Sequence, residues 1–548
     1  MVTIFVPGNQ TQITSHLKTH MKDENYKKDF DTTDLARMRQ RYQLSEETVR
    51  IIENEELLPL GLLKRLHHCY PQHSRFFRED EALFTGKNFY SGLQGFREIT
   101  EILSRHGIEL GDTREREFFI EVYRFLATKH TLNNIDWRNY QNDTMFHLIF
   151  PQPGMIAAGE VQKYLDAASD EERRQVVEDY QKKTNPHDGK QKLNKPWYVN
   201  DEGQVEILEG CQHKYPPVKL IFDQSTQHCF AFCTYCFRHA QVRGDDDIFI
   251  QRDIGHVHEY LRRHREISDI LITGGDGGFI TYERLKAYVT PLMEDPALFH
   301  IKTVRFGSRA ITFHPELILS DKFTPILELW KKVFESGIQV VWVAHLSTPR
   351  DILNPATVAA IRRLKRYSIT IKSQSPIMNH ISLFKDASGN VDIDRSAQNW
   401  IDLGNILAMV GVGFHSMYCA RPTGEHHYFT APLADINKIF SKIYKELASI
   451  NRPSRYITMT SSSGKISLLG TAEINGEKVF ALKFNEGRNM DWMDRVYFAK
   501  YDEQENTIEK LKPFGSDRWF YADELVAIEK KLSDDLQREI QKSGSHDQ

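Results

Sequence analysis

The chain is poor in cysteine, has no lasting apolar run and carries almost no net charge. Six cysteines in 548 residues are too few for a disulfide scaffold, which needs bridges at high density in a short chain. The longest apolar run, Ile406 to Phe414, is too short to cross a bilayer, which takes about 20 apolar residues. The amino terminus, Met-Val-Thr-Ile-Phe-Val-Pro-Gly, has neither the cationic start nor the apolar stretch of a secretory signal. With 71 Lys and Arg against 75 Asp and Glu the formal charge is -4, so the basic footprint of a general nucleic-acid binder is missing. Internal repeats and low-complexity segments are lacking too. The expectation is a cytoplasmic protein without a membrane or nucleic-acid partner.

What is present is length and a 40% hydrophobic share, enough for sizeable cores and, by length alone, roughly three or four domains. Residues 1–205 read as a mainly helical extension. Ser45-Glu46-Glu47-Thr48 opens an amphipathic stretch in the manner of a capping box. The charged stretch from Ser169 to Lys195, with Lys182-Lys183-Thr184-Asn185-Pro186 inside it, reads as a solvated helix followed by a loop.

Residues 206–450 change rhythm. Short β-branched or apolar runs alternate with helical patterns, which predicts α/β architecture built from parallel βα units. The predicted strands are Val218–Asp223, Asp269–Thr273, Thr303–Gly307, Val340–Ala344, Ser368–Lys372 and Gly411–Met417; a helical pattern follows each. Six units suggest a partial (β/α)6 barrel or an open curved sheet, with chemistry on the loops leaving the carboxyl ends of the strands. Residues 451–548 form a carboxyl-terminal segment.

Directly after the first of these strands runs Gln227-His228-Cys229-Phe230-Ala231-Phe232-Cys233-Thr234-Tyr235-Cys236-Phe237-Arg238-His239. Three thiolates spaced Cys-x3-Cys-x2-Cys can hold three irons of a 4Fe-4S cluster and leave the fourth open for a ligand. The alternative is a zinc site completed by His228 or His239. Cys69, Cys211 and Cys419 are expected to be ordinary thiols.

This motif, with an aromatic residue before its last cysteine, resembles that of the radical S-adenosylmethionine (SAM) superfamily. There the open iron chelates SAM, whose reductive cleavage gives a 5′-deoxyadenosyl radical. One βα unit later Gly274-Gly275-Asp276 resembles the superfamily's Gly-Gly-acid element, which contacts the SAM amino group. Further segments resemble the lysine 2,3-aminomutase family within it: His213-Lys214-Tyr215-Pro216, Arg305-Phe306-Gly307-Ser308-Arg309, His345, Gln374-Ser375, and Ser461-Ser462-Ser463-Gly464-Lys465. The resemblance spans roughly residues 210 to 500. It implies that Cys229, Cys233 and Cys236 hold the cluster and that Gly274, Gly275, Asp276, His345 and Gln374 lie around SAM. Lys465 would bind pyridoxal 5′-phosphate (PLP) as an imine, Lys214 would match a phosphate-binding arginine, with Lys219 displaced, and Arg238 would pair with the substrate α-carboxylate. A flavodoxin or ferredoxin would supply the electron. The extension would cap the barrel or make subunit contacts in a homo-oligomer.

Departures from the family's pattern bear on substrate. Ala420 and Thr458 stand where lysine-acting members place two aspartates around the distal ammonium. An ammonium buried without counterions costs several kcal/mol, so an amino acid other than lysine is expected. Arg421, next to Ala420, suits an acidic side chain if it faces the pocket. No cysteine follows Cys419, so the family's carboxyl-terminal zinc site is not expected. Two other readings stay open: a radical SAM enzyme without PLP, and a non-catalytic zinc-binding protein. On a lysine at a hairpin tip or a plain surface lysine, Lys465, Lys214 and Lys219 would carry no role.

Overall fold

The computed structural model describes residues 39–544 apart from 75, 77–81, 185–192, 244–247 and 422–423. Its amino-terminal part is mainly helical, as expected. The Ser45 hydroxyl accepts the Thr48 amide at 3.1 Å and so caps helix Glu46–Asn54, whose first turn carries Glu46 and Glu47 against the positive helix end. Ser169 caps the largely exposed helix Asp170–Lys183 in the same way; Asn185 and Pro186 lie outside the described residues. Two short antiparallel pairs interrupt the helices: β1 (Phe89–Ser91) with β2 (Leu126–Thr128), and β3 (Trp197–Val199) with β4 (Val205–Ile207).

One large sheet follows. β5 (Cys211–Tyr215) pairs antiparallel with β6 (Val218–Phe222), and β7 (Asp269–Thr273), β8 (Thr303–Ser308), β9 (Gln339–Ala344), β10 (Thr370–Ile377) and β11 (Gly413–Cys419) then add in parallel, in chain order. Helices Ile254–Arg263, Tyr282–Glu294, Thr324–Glu335, Pro355–Arg366, Ile393–Val410 and Leu433–Glu446 separate successive strands. The parallel partial-barrel core anticipated from the sequence is therefore present. Two predicted strand starts shift for local reasons. Ser368 has φ 61 and Gly411 φ 73; left-handed residues end the preceding helices, and the strands begin two residues later.

Beyond β11 the same sheet continues through β12 (Ile457–Thr460), which is parallel to it, and antiparallel β13 (Gly464–Ile474), β14 (Glu477–Gly487) and β15 (Val496–Lys500). β5 and β15 are the two ends, so the sheet is not a closed ring.

Burial alternates along the strands. Ile270, Ile272, Val304 and Phe306 are buried against the helices, while Asp269, Leu271, Thr273, Thr303, Arg305 and Gly307 face a half-open lumen. On the outer side Phe306 stacks on Trp330 of helix Thr324–Glu335, with centroids 4.9 Å apart, and meets Trp342 edge-on at 4.6 Å. Such aromatic pairs add about 0.5–1.5 kcal/mol beyond area burial. They lock helix to sheet and leave polar side chains for the inside. Among the described residues no helix is long and apolar enough to cross a membrane.

Candidate functional site

The cysteine loop leaves the carboxyl end of β6. The amino-terminal extension holds it from outside: Phe232 N donates to Leu126 O and Thr234 N to Leu148 O, both at 2.9 Å, and the Thr234 hydroxyl donates to His147 O at 2.8 Å. Phe230 stacks on Phe279 at 4.1 Å. Cys229, Cys233 and Cys236 are free and half-buried. The surrounding protein pushes all three thiols up, Cys236 to about 12, because a thiolate there loses water and faces its neighbours' charge.

Tetrahedral Zn–S bonds set sulfurs about 3.8 Å apart, whereas a cubane spreads its thiolates more widely. Among the described residues the three-ligand group closing to within 4.8 Å is His213, His264 and Glu266.

The turn after β7 presses against this loop. A Cβ at Gly275 would lie 2.5 Å from the His228 carbonyl oxygen and 3.0 Å from Cys229 Sγ, and Gly274, at φ 153, would bring one 2.6 Å from Thr226 Oγ1. Both positions need glycine. The Asp276 carboxylate accepts Gly278 N and Arg309 N, each at 2.8 Å, and bridges the exits of β7 and β8. Burial pushes it up to about 6.

Arg309, quoted in the sequence only as part of a motif, turns out to touch the cysteines. Its Nη1 donates to Cys233 Sγ at 3.2 Å, while its buried Nε and Nη2 have no partner among the described residues. His345, at the exit of β9, is pushed down to about 3 by enclosure and then by Arg309 and Arg238. On β10 the buried Ser375 hydroxyl bonds Leu346 O and Ser373, so alternation turns the half-buried Gln374 towards the lumen.

Arg238 reaches the lumen wall, where Nη1 donates to Thr273 Oγ1 at 3.3 Å and Gly274 O at 3.4 Å. Its guanidinium lies over the Phe222 and Phe237 rings at 4.7 and 5.3 Å. Enclosure and then Arg421 push its pKa down to about 10. No carboxylate forms an ion pair with it among the described residues. Half-buried Arg421 lies 5.9 Å from the same Phe237 ring. Ala420 is buried, and the Thr458 hydroxyl donates to Tyr456 O at 2.9 Å.

Across the lumen Lys465 is not at a hairpin tip. It is the second residue of β13, registered with Thr460 and Glu486. Its Nζ contacts Glu486 Oε2 at 2.5 Å and lies 5.1 Å from the Tyr215 ring centroid. Gly464 before it admits no side chain, because a Cβ would sit 2.2 Å from the Glu486 carbonyl oxygen. The sheet curls so that β5 meets this turn. Lys214 Nζ donates to Ser461 O at 2.5 Å; Arg488 donates from Nε to Ser462 O and from Nη2 to Asn194 Oδ1, at 3.0 and 2.9 Å. The buried Tyr215 hydroxyl has no partner among the described residues. Enclosure, then Arg488, Arg421 and Lys465, push Lys214 down to about 7. Cations around an unsatisfied hydroxyl suit a phosphate, and an amine stands beside them.

Lys219 belongs elsewhere. It is fully buried on the outer side of β6, 3.6 Å from the Tyr260 ring centroid, so neither Lys214 nor Lys219 is a plain surface lysine. Arg488 and Tyr215 were not singled out in the sequence. Arg488 sits in no motif and arrives only through the return of β14, although Tyr215 lay next to a chosen residue.

No family model matches the chain. It is 27% identical over 276 residues to a putative L-lysine 2,3-aminomutase of Aquifex aeolicus, covering 50% of this chain and 68% of that one. A glutamate 2,3-aminomutase of Clostridioides difficile is 25% identical over 200 residues, 35% of this chain and 44% of its own. Among solved structures, a radical SAM methyltransferase from Sphaerobacter thermophilus aligns over 48% of this chain and 75% of its own at 16% identity, with a TM-score of 0.28, too slight a likeness to argue from.

Proposed function

We propose that this chain, a lysine 2,3-aminomutase-like protein of the radical SAM superfamily, moves the α-amino group of an amino acid other than lysine to its β-carbon with the help of PLP. Arg238 carries the reading: a guanidinium enclosed at the lumen wall beside the cysteine loop, with no carboxylate partner among the described residues, suits a substrate carboxylate.

Cys229, Cys233 and Cys236 would hold three irons of a 4Fe-4S cluster. Gly274 and Gly275 would let SAM approach the open iron, with His345 and Gln374 as polar wall and Asp276 fixing the turn. Lys465 would anchor PLP through its amine once the Glu486 ion pair opens, and Lys214, Arg488 and Tyr215 would meet the phosphate. Bound in this lumen, the cluster and SAM would supply a 5′-deoxyadenosyl radical and PLP a conjugated system for the migrating nitrogen. The protein's own share is orientation and exclusion of water. Ala420 and Thr458 offer no charge to a distal ammonium, whereas Arg421 and Arg238 flank one ring, which supports a substrate with a second carboxylate. An external reductant of the flavodoxin or ferredoxin type would complete the system.

The test is anaerobic incubation of cluster-reconstituted protein with SAM, PLP, dithionite and individual amino acids, scored by mass spectrometry. A β-amino acid from glutamate or aspartate and none from lysine is expected. SAM cleavage to 5′-deoxyadenosine without any β-amino acid product would overturn the aminomutase reading and leave a radical SAM enzyme of other chemistry.

A further inference from the structure

Outside the lumen, where the lead-in strand β5 meets the end of helix Ile254–Arg263, the structure brings together His213, His264 and Glu266. One nitrogen of each imidazole and one carboxylate oxygen lie within 4.8 Å of one another. We propose that these three side chains bind a divalent transition-metal ion of the zinc class, with water completing its coordination.

Two imidazoles and a carboxylate form a ligand set that zinc accepts while keeping a fourth position for water. Each donor is prepared. His213 Nε2 lies 3.1 Å from Pro216 O, a carbonyl that only accepts, so the ring proton is on Nε2 and the Nδ1 lone pair points the other way. That lone pair now accepts the Tyr260 hydroxyl at 2.8 Å. His264 Nδ1 is 2.7 Å from Glu266 Oε1. The His264 ring stacks on Tyr260 at 3.9 Å and meets His213 edge-on at 5.6 Å, which fixes both imidazoles. His264 also follows the carboxyl end of its helix, where the backbone carbonyls favour a cation.

Metal uptake displaces the Tyr260 hydroxyl from His213 Nδ1, and the Nδ1 proton of a neutral His264 passes to its other ring nitrogen as the metal takes its place. The buried Lys219 charge on the far side of Tyr260 opposes a cation, and the Glu266 carboxylate offsets it. The consequence reaches the lumen. His213 immediately precedes Lys214 and Tyr215, so a metal here clamps to the helix the strand that carries both.

This site does not depend on the aminomutase reading, and it is tested with Co2+ alone. Full-length, metal-stripped protein carrying Cys229→Ser, Cys233→Ser and Cys236→Ser is titrated with Co2+, so that the cysteine loop cannot hold the ion. The expected result is one Co2+ per chain with visible d–d absorption. His264→Gln and Glu266→Gln, at exposed or half-exposed positions, should each weaken binding by about 10-fold or more with an unchanged far-ultraviolet circular dichroism spectrum. No Co2+ bound by the parent protein, or binding in both variants as tight as in the parent, would overturn the proposal.

Discussion

Arg309 joins the two halves of the cysteine site: its amide is held by Asp276 Oδ2 at 2.8 Å while its guanidinium donates to Cys233 Sγ at 3.2 Å. One side chain thus ties the glycine turn after β7 to the thiols. A reduced cluster carries one more negative charge than an oxidised one, and a buried guanidinium bonded to a ligand sulfur favours it. Arg309→Met should therefore move the midpoint potential of the reconstituted cluster to more negative values, with Arg309→Lys in between. Electron paramagnetic resonance during a redox titration reads this without turnover, and an unshifted midpoint would refute it.

Lys465 faces Glu486 across β13 and β14. In Lys465→Ala the lysine-dependent visible absorption of bound PLP should vanish, while Glu486→Gln should keep it, since the carboxylate only restrains the amine. Retention of the band in Lys465→Ala would point to a different lysine.

Among the described residues Arg238 has carbonyl and hydroxyl partners but no carboxylate. Lysine at this position keeps the charge and loses the planar fork. Arg238→Lys should lower kcat/KM by about 10- to 100-fold, the worth of one charged hydrogen bond, mostly through KM, with SAM cleavage in the absence of substrate unchanged.

Lys214, held down at about 7, should make anion binding pH-dependent. Its folded pKa is below the value of about 10.4 for a free lysine, so the unfolded chain binds more protons across that window. Stability from this group therefore rises with pH between about 7 and 10. Phosphate binding runs the other way, because the ammonium is lost as pH rises through 7. Pyridoxamine phosphate, which cannot form an imine with Lys465, should bind less tightly at pH 8.5 than at 6.5, and Lys214→Arg should flatten that slope.

Tyr123 and Tyr180, both from the extension, donate to one oxygen of Glu425, at 2.8 and 2.6 Å. Glu425 is 5% exposed and lies just beyond Arg421 in the chain. Losing these donors leaves a buried carboxylate short of partners. Tyr123→Phe combined with Tyr180→Phe should cost about 1–3 kcal/mol of stability, measurable as a lowered Tm.

Much of the core could be read from residue order. Val, Ile and Leu runs at βα spacing mark the six parallel strands β6–β11, because strands covered by helices on one side leave a dense apolar signal. The strands from β12 onward have no such signal, although one clue is present: Ile474-Asn475-Gly476-Glu477 is a two-residue hairpin with φ 52 and 79 at its centre. Overlooking it put Lys465 on a turn instead of a strand. The cysteines were legible as a local cluster of thiols. Arg488 was not, since only the curl of the sheet brings it beside Lys214, and no local pattern encodes that closure.

The hydrogen bonds from Phe232 and Thr234 to the carbonyls of Leu126 and Leu148 also set an order of assembly. The segment containing those carbonyls is synthesised before the cysteine loop, so the loop emerges onto a mould already made. A cluster held by these cysteines as proposed would then load onto a seat that the extension has already shaped.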